Sequence, residues 1–293
     1  MNTKMKMALA AGALALSVVG QANAAIVNGT TYANNMVLSV WNTQNSTSYT
    51  ANLGVTMQSF LTGAGVTAGG TPKAPALTGT DTAANNFSFT DAALNSFLGT
   101  AGGTYVWSVA ATALPGIAYG TSGILSTSNS GAALVGTTMA PNVSAAATNM
   151  NGVYLADVNN LLATASAGAI SITTPVGYTG AAYVGTLNAM GSNFGAATPF
   201  TNTAAIGQSQ NFFFITPTQN ARSQYAGTTN YQFGNAAGTS AWTLGANGAL
   251  TYAVAAAVAP VPEPGEWLLM LSGLALIGFI ATRRKNENGM TFA

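Results

Sequence analysis

Ala241-Trp-Thr-Leu244, Gly245-Ala-Asn-Gly248 and Ala249-Leu-Thr-Tyr-Ala-Val254 form the stretch that decides the fold. Two short runs rich in aromatic, Thr and apolar residues flank a four-residue segment that carries Asn-Gly. That dipeptide tolerates positive φ, so the pattern predicts strand, turn, strand: an antiparallel hairpin. Further back, Phe212-Phe-Phe-Ile215 within Asn211–Pro217 is apolar without interruption, which predicts a buried strand. At a sheet edge the same run would template strand addition.

Nearer the start, Met36-Val-Leu-Ser-Val-Trp41 is β-branched and apolar, Asn42–Thr47 supplies turn residues, and Tyr49–Met57 resumes a strand-like pattern. Gly63 to Thr80 is rich in Gly, Thr, Ala and Pro and reads as a loop. Thr90 or Asp91 can cap a short helix that carries Leu94, Phe97 and Leu98 on one side and stops at Gly99. Thr104–Ala111, around Tyr105 and Trp107, reads as a strand. Tyr154, Val158, Leu161, Leu162 and Ala165 fall on one stripe of a helix over Gly152–Ala165, with Asp157 on its solvent side. Strands at both ends with one or two helices between them predict a mainly β, α+β domain. Its sheet is expected to be antiparallel and sandwich-like, with the first and last strands paired.

Only 4% of the chain is charged, against roughly 25% in ordinary globular proteins. Between Ala25 and Val258 the charges are Lys73, Arg222, Asp81, Asp91 and Asp157. So few cations give no electrostatic footprint for nucleic acid. The chain has no Cys and no His. Disulfides, the usual structural zinc sites and Ser–His or Cys–His nucleophiles are therefore excluded. Solubility rests on Asn, Thr, Ser and Gln, a neutral surface that salt hardly screens.

Glycosidic acid/base chemistry needs two carboxylates about 5–10 Å apart. Asp91 is explained as a helix cap, Asp81 as a turn former and Asp157 as an exposed helix residue. No Asp-rich calcium-loop spacing occurs. Trp41, Trp107 and Trp242 could stack on sugar rings, but each sits among apolar neighbours in a predicted strand, where core packing accounts for it. The expected catalytic, metal and cofactor sets are empty. Asn-x-Ser/Thr triplets such as those at Asn28, Asn45 and Asn142 are matched by chance in a chain this rich in Asn and Thr.

Trp267 to Thr282 carries no charge and is built from Leu, Ile, Phe, Met, Ala and Gly. Sixteen helical residues at about 1.5 Å each reach roughly 24 Å, a little less than the ~30 Å hydrocarbon core. Snorkelling by Arg283, Arg284 and Lys285 closes the gap, and their charge predicts a cytoplasmic C-terminus. Pro262 and Pro264 resist helix, so Ala259–Gly265 is expected to be extended and accessible beside the membrane. At the other end, Lys4 and Lys6, an apolar run from Met7 to Val19, and Ala22-Asn23-Ala24 read as a signal peptide cut before Ala25.

Val261-Pro262-Glu263-Pro264, the apolar segment and the Arg283-Arg284-Lys285 stop together resemble the PEP-CTERM sorting signal of Gram-negative bacteria. The resemblance covers Val261 to Lys285. Gly265-Glu266 and the eight residues after Lys285 depart from the usual pattern. The resemblance implies recognition by an exosortase that cleaves near the Pro-Glu-Pro motif. The expected layout is signal peptide 1–24, exported β-rich domain 25–258, sorting linker 259–266, transmembrane helix 267–282 and basic tail 283–293. The expected partners are signal peptidase, exosortase, the inner membrane in transit and exopolysaccharide. The expected role is that of a non-catalytic surface or biofilm-matrix protein. A surface carbohydrate-binding module and an aspartate-dependent hydrolase are the alternatives, and a C-terminal anchor that is never cut is the simpler account of the tail.

Overall fold

A computed structural model describes residues 25–27, 34–71, 74–100, 103–113, 123–129, 134, 139–166, 168–185, 194, 197–198, 201–219, 225–256 and 264–287. Contacts divide the chain into two compact units, Met1–Ala256 and Ala257–Ala293.

The first unit begins with strands β1 (Asn35–Asn42) and β2 (Thr47–Thr56), helix α1 (Met57–Gly63), and the hairpin strands β3 (Thr67–Thr71) and β4 (Ala74–Thr78). A 3₁₀ turn (Ala83–Asn85), β5 (Phe87–Phe89), α2 (Ala92–Leu98), β6 (Tyr105–Ala113) and β7 (Gly123–Ser128) follow. Helix α3 (Met139–Thr148), a π-helical turn (Asn149–Tyr154) and α4 (Leu155–Thr164) make one helical run. The remaining strands are β8 (Ser171–Thr173), β9 (Ala204–Ala205), β10 (Ser209–Gln219), β11 (Tyr225–Gln232), β12 (Gly234–Asn235), β13 (Gly238–Thr239), β14 (Ala241–Leu244) and β15 (Leu250–Ala253).

Eleven strands form one antiparallel sheet in the order β5-β15-β14-β10-β7-β6-β1-β2-β8, with β11 beside β10 and β9 beside β6. Strand β10 holds the sheet together at a fork. Along one edge it pairs with β7; along the other, Ser209–Asn211 pair with β14 and Phe213–Gln219 with β11. The sheet curls on itself as a half-barrel, giving the mainly β, α+β class expected from the sequence.

Period-two alternation explains why the strands look apolar throughout. In β1, Met36, Leu38 and Val40 enter one core, while Val37 and Trp41 enter a second core on the opposite face. In β10, Phe212 and Phe214 face the first core, Phe213 and Ile215 the second. A strand buried on both faces needs no polar alternation. The first core is closed by Phe60 and Leu61 of α1 and by Leu94 and Phe97 of α2. The second is covered by Val143, Met150, Tyr154, Val158 and Leu162 of the helical run.

The expected hairpin forms, with Trp242 opposite Tyr252 and Leu244 opposite Leu250. Gly248 adopts φ 72° at its turn, where a Cβ would be strained. Several expectations are corrected. The first and last strands do not pair: β1 lies between β2 and β6, and β15 between β14 and β5. The edge of β15 is taken by Phe87–Phe89, whose rings add to the first core. Gly63–Thr80 contains the β3–β4 hairpin rather than only loop. Met57 opens α1, capped by Thr56, whose hydroxyl accepts from the Ser59 amide at 3.1 Å. The predicted helix over Gly152–Ala165 is α4 with the π turn, and α3 precedes it; Pro141 sits in the first turn of α3, where a missing N–H is tolerated.

Candidate functional site

Each carboxylate of the first unit accepts a hydrogen bond from a tyrosine hydroxyl. Asp91 caps α2, as the sequence indicates, its Oδ1 accepting from the Ala93 amide at 2.9 Å. Its Oδ2 also accepts from Tyr49 and Ser171, both at 2.6 Å, so one side chain joins α2 to β2 and β8. Burial raises the Asp91 pKa, but the bonds from Ser171, Tyr49 and the Ala93 amide outweigh it and hold the carboxyl below its ordinary value. Burial first, then the Asp91 contact, push the Tyr49 hydroxyl far above the ordinary tyrosine range.

Asp81, read from the sequence as a turn former, lies in the loop after β4 and is buried, 1% exposed. Its Oδ2 accepts from Tyr252 at 2.5 Å and its Oδ1 from the Asn85 amide at 2.8 Å. Its backbone N–H donates to the Gly234 carbonyl at 2.9 Å. The loop after β4 is thereby fastened to β15 and β12. Because a carboxylate only accepts, the bond fixes which end of the Asn85 amide faces Asp81. The other end lies against Gly63, where an added Cβ would come within 2.0 Å of Asn85 Oδ1. Burial and the neighbouring Asp81 raise Tyr252 far above its ordinary value. An open cleft of about 460 Å³ runs beside this cluster, past Tyr231, Phe233 and Asn235.

Asp157 does not sit on a free solvent face. Its Oδ2 accepts from the Tyr178 hydroxyl at 2.9 Å and the Ala182 amide at 2.8 Å, drawing the segment after β8 onto α4. Among the described residues, the three carboxylates share no hydrogen-bond partner. Among the described residues, no group of three His, Cys, Asp or Glu side chains comes together. Lys73 and Arg222 lie outside the described residues.

A fourth tyrosine ties the two layers directly. Tyr154 of the π turn is fully buried, with its hydroxyl 2.8 Å from Ser39 Oγ and 2.5 Å from Thr50 Oγ1. Sequence reasoning placed Tyr154 on the buried stripe but missed this polar end, because its partners lie about a hundred residues away.

The tryptophans are core residues. Trp41, Trp107 and Trp242 are 3%, 0% and 1% exposed. Trp107 Nε1 donates to the Ala205 carbonyl at 3.0 Å. Trp242 packs against Tyr252, Phe87 and Phe212 with ring centroids 4.9, 5.7 and 5.7 Å away.

In the second unit, helix α5 (Pro264–Glu287) contains a stretch, Trp267–Arg284, long and apolar enough to cross a membrane. Its eighteen residues reach about 27 Å. Leu268, Leu269 and Ile277 are 69%, 78% and 68% exposed. Pro264 and Gly265, expected to be extended, open the helix instead; the first helical position needs no N–H, which suits proline. Arg283 and Arg284 are exposed near its end, and Lys285 continues it. Val261, Pro262 and Glu263 of the sorting motif lie outside the described residues, as do Ala22 and Ala24; Ala25 is described and exposed.

Comparison with protein families, curated proteins and solved structures gives no match to this chain.

Proposed function

We propose that the chain is an exported, non-catalytic cell-surface or extracellular-matrix protein, carried across the inner membrane by its N-terminal signal and sorted by an exosortase. The observation that carries this reading is α5: a helix of membrane-crossing length, apolar on every side, opened by Pro264 and closed by Arg283-Arg284. Those arginines favour a cytoplasmic C-terminal end. Val261-Pro262-Glu263 then falls just outside the membrane, where a processing enzyme reaches it.

The domain supports a passive role. Its carboxylates are engaged in separate hydrogen-bond sets that knit helices to strands, and a neutral polar surface suits close packing in a polysaccharide layer. Burial of Trp41, Trp107 and Trp242 leaves the carbohydrate-module alternative without its tryptophan platform. Deleting Val261–Ala293 tests the sorting reading. Cell fractionation with mass spectrometry of the external protein should find wild type truncated near Pro264 and the deletion variant missing from the surface. Wild type found outside the cell with Arg283–Lys285 intact would refute it.

A further inference from the structure

Where the curled sheet brings its two arms together, a cavity of about 230 Å³ opens between β2 and β5. Its floor is Met36, Leu53, Phe60, Phe87 and Trp242, all buried; Gly54, Ser59 and Ala84 at its mouth are exposed. We infer that this seam binds a neutral, ring-sized organic molecule bearing a hydroxyl or carbonyl group, an inference independent of how the chain is sorted.

Size sets the first limit. A closed apolar cavity of about 150 Å³ accommodates benzene, so this one has room for a ring and a small substituent. Shape sets the second. Three walls are aromatic: Phe87 and Phe60 stand 5.7 and 6.3 Å from Trp242, the latter nearly parallel to it at 23°. Flat faces of this kind favour a flat guest over a branched one. Chemistry sets the third. No charged side chain lines the cavity, so a charged guest would lose hydration without compensation.

Polar groups nevertheless border it. The Asn86 amide is oriented by accepting from the Val254 N–H at 2.8 Å, and Ser59 brings a hydroxyl to the mouth. An apolar floor with a few convergent polar groups is the ordinary form of a small-molecule site.

The test uses the full chain in lipid nanodiscs, with Trp267→Phe in every protein so that only the domain's tryptophans report. Benzyl alcohol is titrated while tryptophan emission is read, with empty nanodiscs as blanks, and benzoate serves as the charged counterpart. Ala84→Phe and Ser59→Phe each fill the mouth from a different element, and circular dichroism checks that each keeps the fold. The expected result is a saturable response to benzyl alcohol, at least tenfold weaker affinity in both filled variants, and none to benzoate. A response that rises linearly, is equal in all three proteins, or is matched by benzoate overturns the inference.

Discussion

The leucines of the domain and those of α5 meet opposite fates. Leu38, Leu94 and Leu125 are 0% exposed, whereas Leu268, Leu269 and Leu274 are 69%, 78% and 69% exposed. The domain hides its apolar residues by period-two alternation onto two cores and by one helical stripe. Helix α5 has no stripe; it is apolar on every side, as a segment surrounded by lipid must be. The difference separates a unit that buries its apolar residues within itself from a helix long and apolar enough to cross a membrane. Ordinary burial explains the first unit, and no burial within the second explains its helix.

The largest effect should come from placing charge in α5. Leu271→Lys with Leu274→Lys puts two ammonium groups at mid-helix, each costing roughly 2.5–3.5 kcal/mol in membrane insertion. The chain should leave the carbonate-resistant membrane fraction, and the domain's thermal midpoint should not move. A domain that melts earlier in that variant would mean the helix belongs to its core and would break the comparison. Next in size is Trp242→Ala, which empties the most crowded aromatic cluster and should cost about 3–5 kcal/mol in urea unfolding. Leu269→Ala, similarly apolar but 78% exposed, should leave that unfolding curve unchanged.

How much of this was legible in the sequence depended on range. The 241–254 hairpin, the Asp91 cap and the Tyr154–Leu162 stripe are set by residues within a dozen positions, and all three stand as read. Burial of Phe212–Ile215 was legible from density alone, although its cause, a strand between two cores, was not. Pairing of β15 with Phe87–Phe89 could not be read, since nothing local distinguishes one edge from another. The Asp–Tyr bonds were hidden for the same reason: Asp81 and Tyr252 are 171 positions apart. Helix α1 lacks an acidic residue in its first turn and α3 contains Pro141, so both gave weak start signals.

The tyrosine hydroxyls give a graded test within the domain. A hydrogen bond to a charged group contributes about 1.5–3 kcal/mol when buried. Tyr252→Phe should stand at the top of that range, because it leaves the fully buried Asp81 with Asn85 as its remaining side-chain donor. Tyr49→Phe should cost less, since Asp91 keeps Ser171 and the Ala93 amide. Tyr178→Phe should cost under ~1 kcal/mol, because Asp157 is half-exposed and retains the Ala182 amide. Equal losses in all three would mean that burial does not govern these bonds.

The smallest expected effect lies in the middle of the pH range. Asp91 is held below its ordinary 3.8 in the folded state, so its contribution is complete above that value and is lost as pH falls through the folded pKa. Tyr49 and Tyr252 lie above their ordinary 10.0. The folded chain therefore keeps protons that the unfolded chain releases, and stability is complete below pH 10 and declines as pH rises beyond it. Between those limits the domain has no His or Cys to titrate. Its thermal midpoint should be flat from about pH 5 to 9, fall steeply above 10 and fall again toward 3. A step between pH 6 and 8 would require a carboxylate displaced far upward, and would single out a reactive group in the domain.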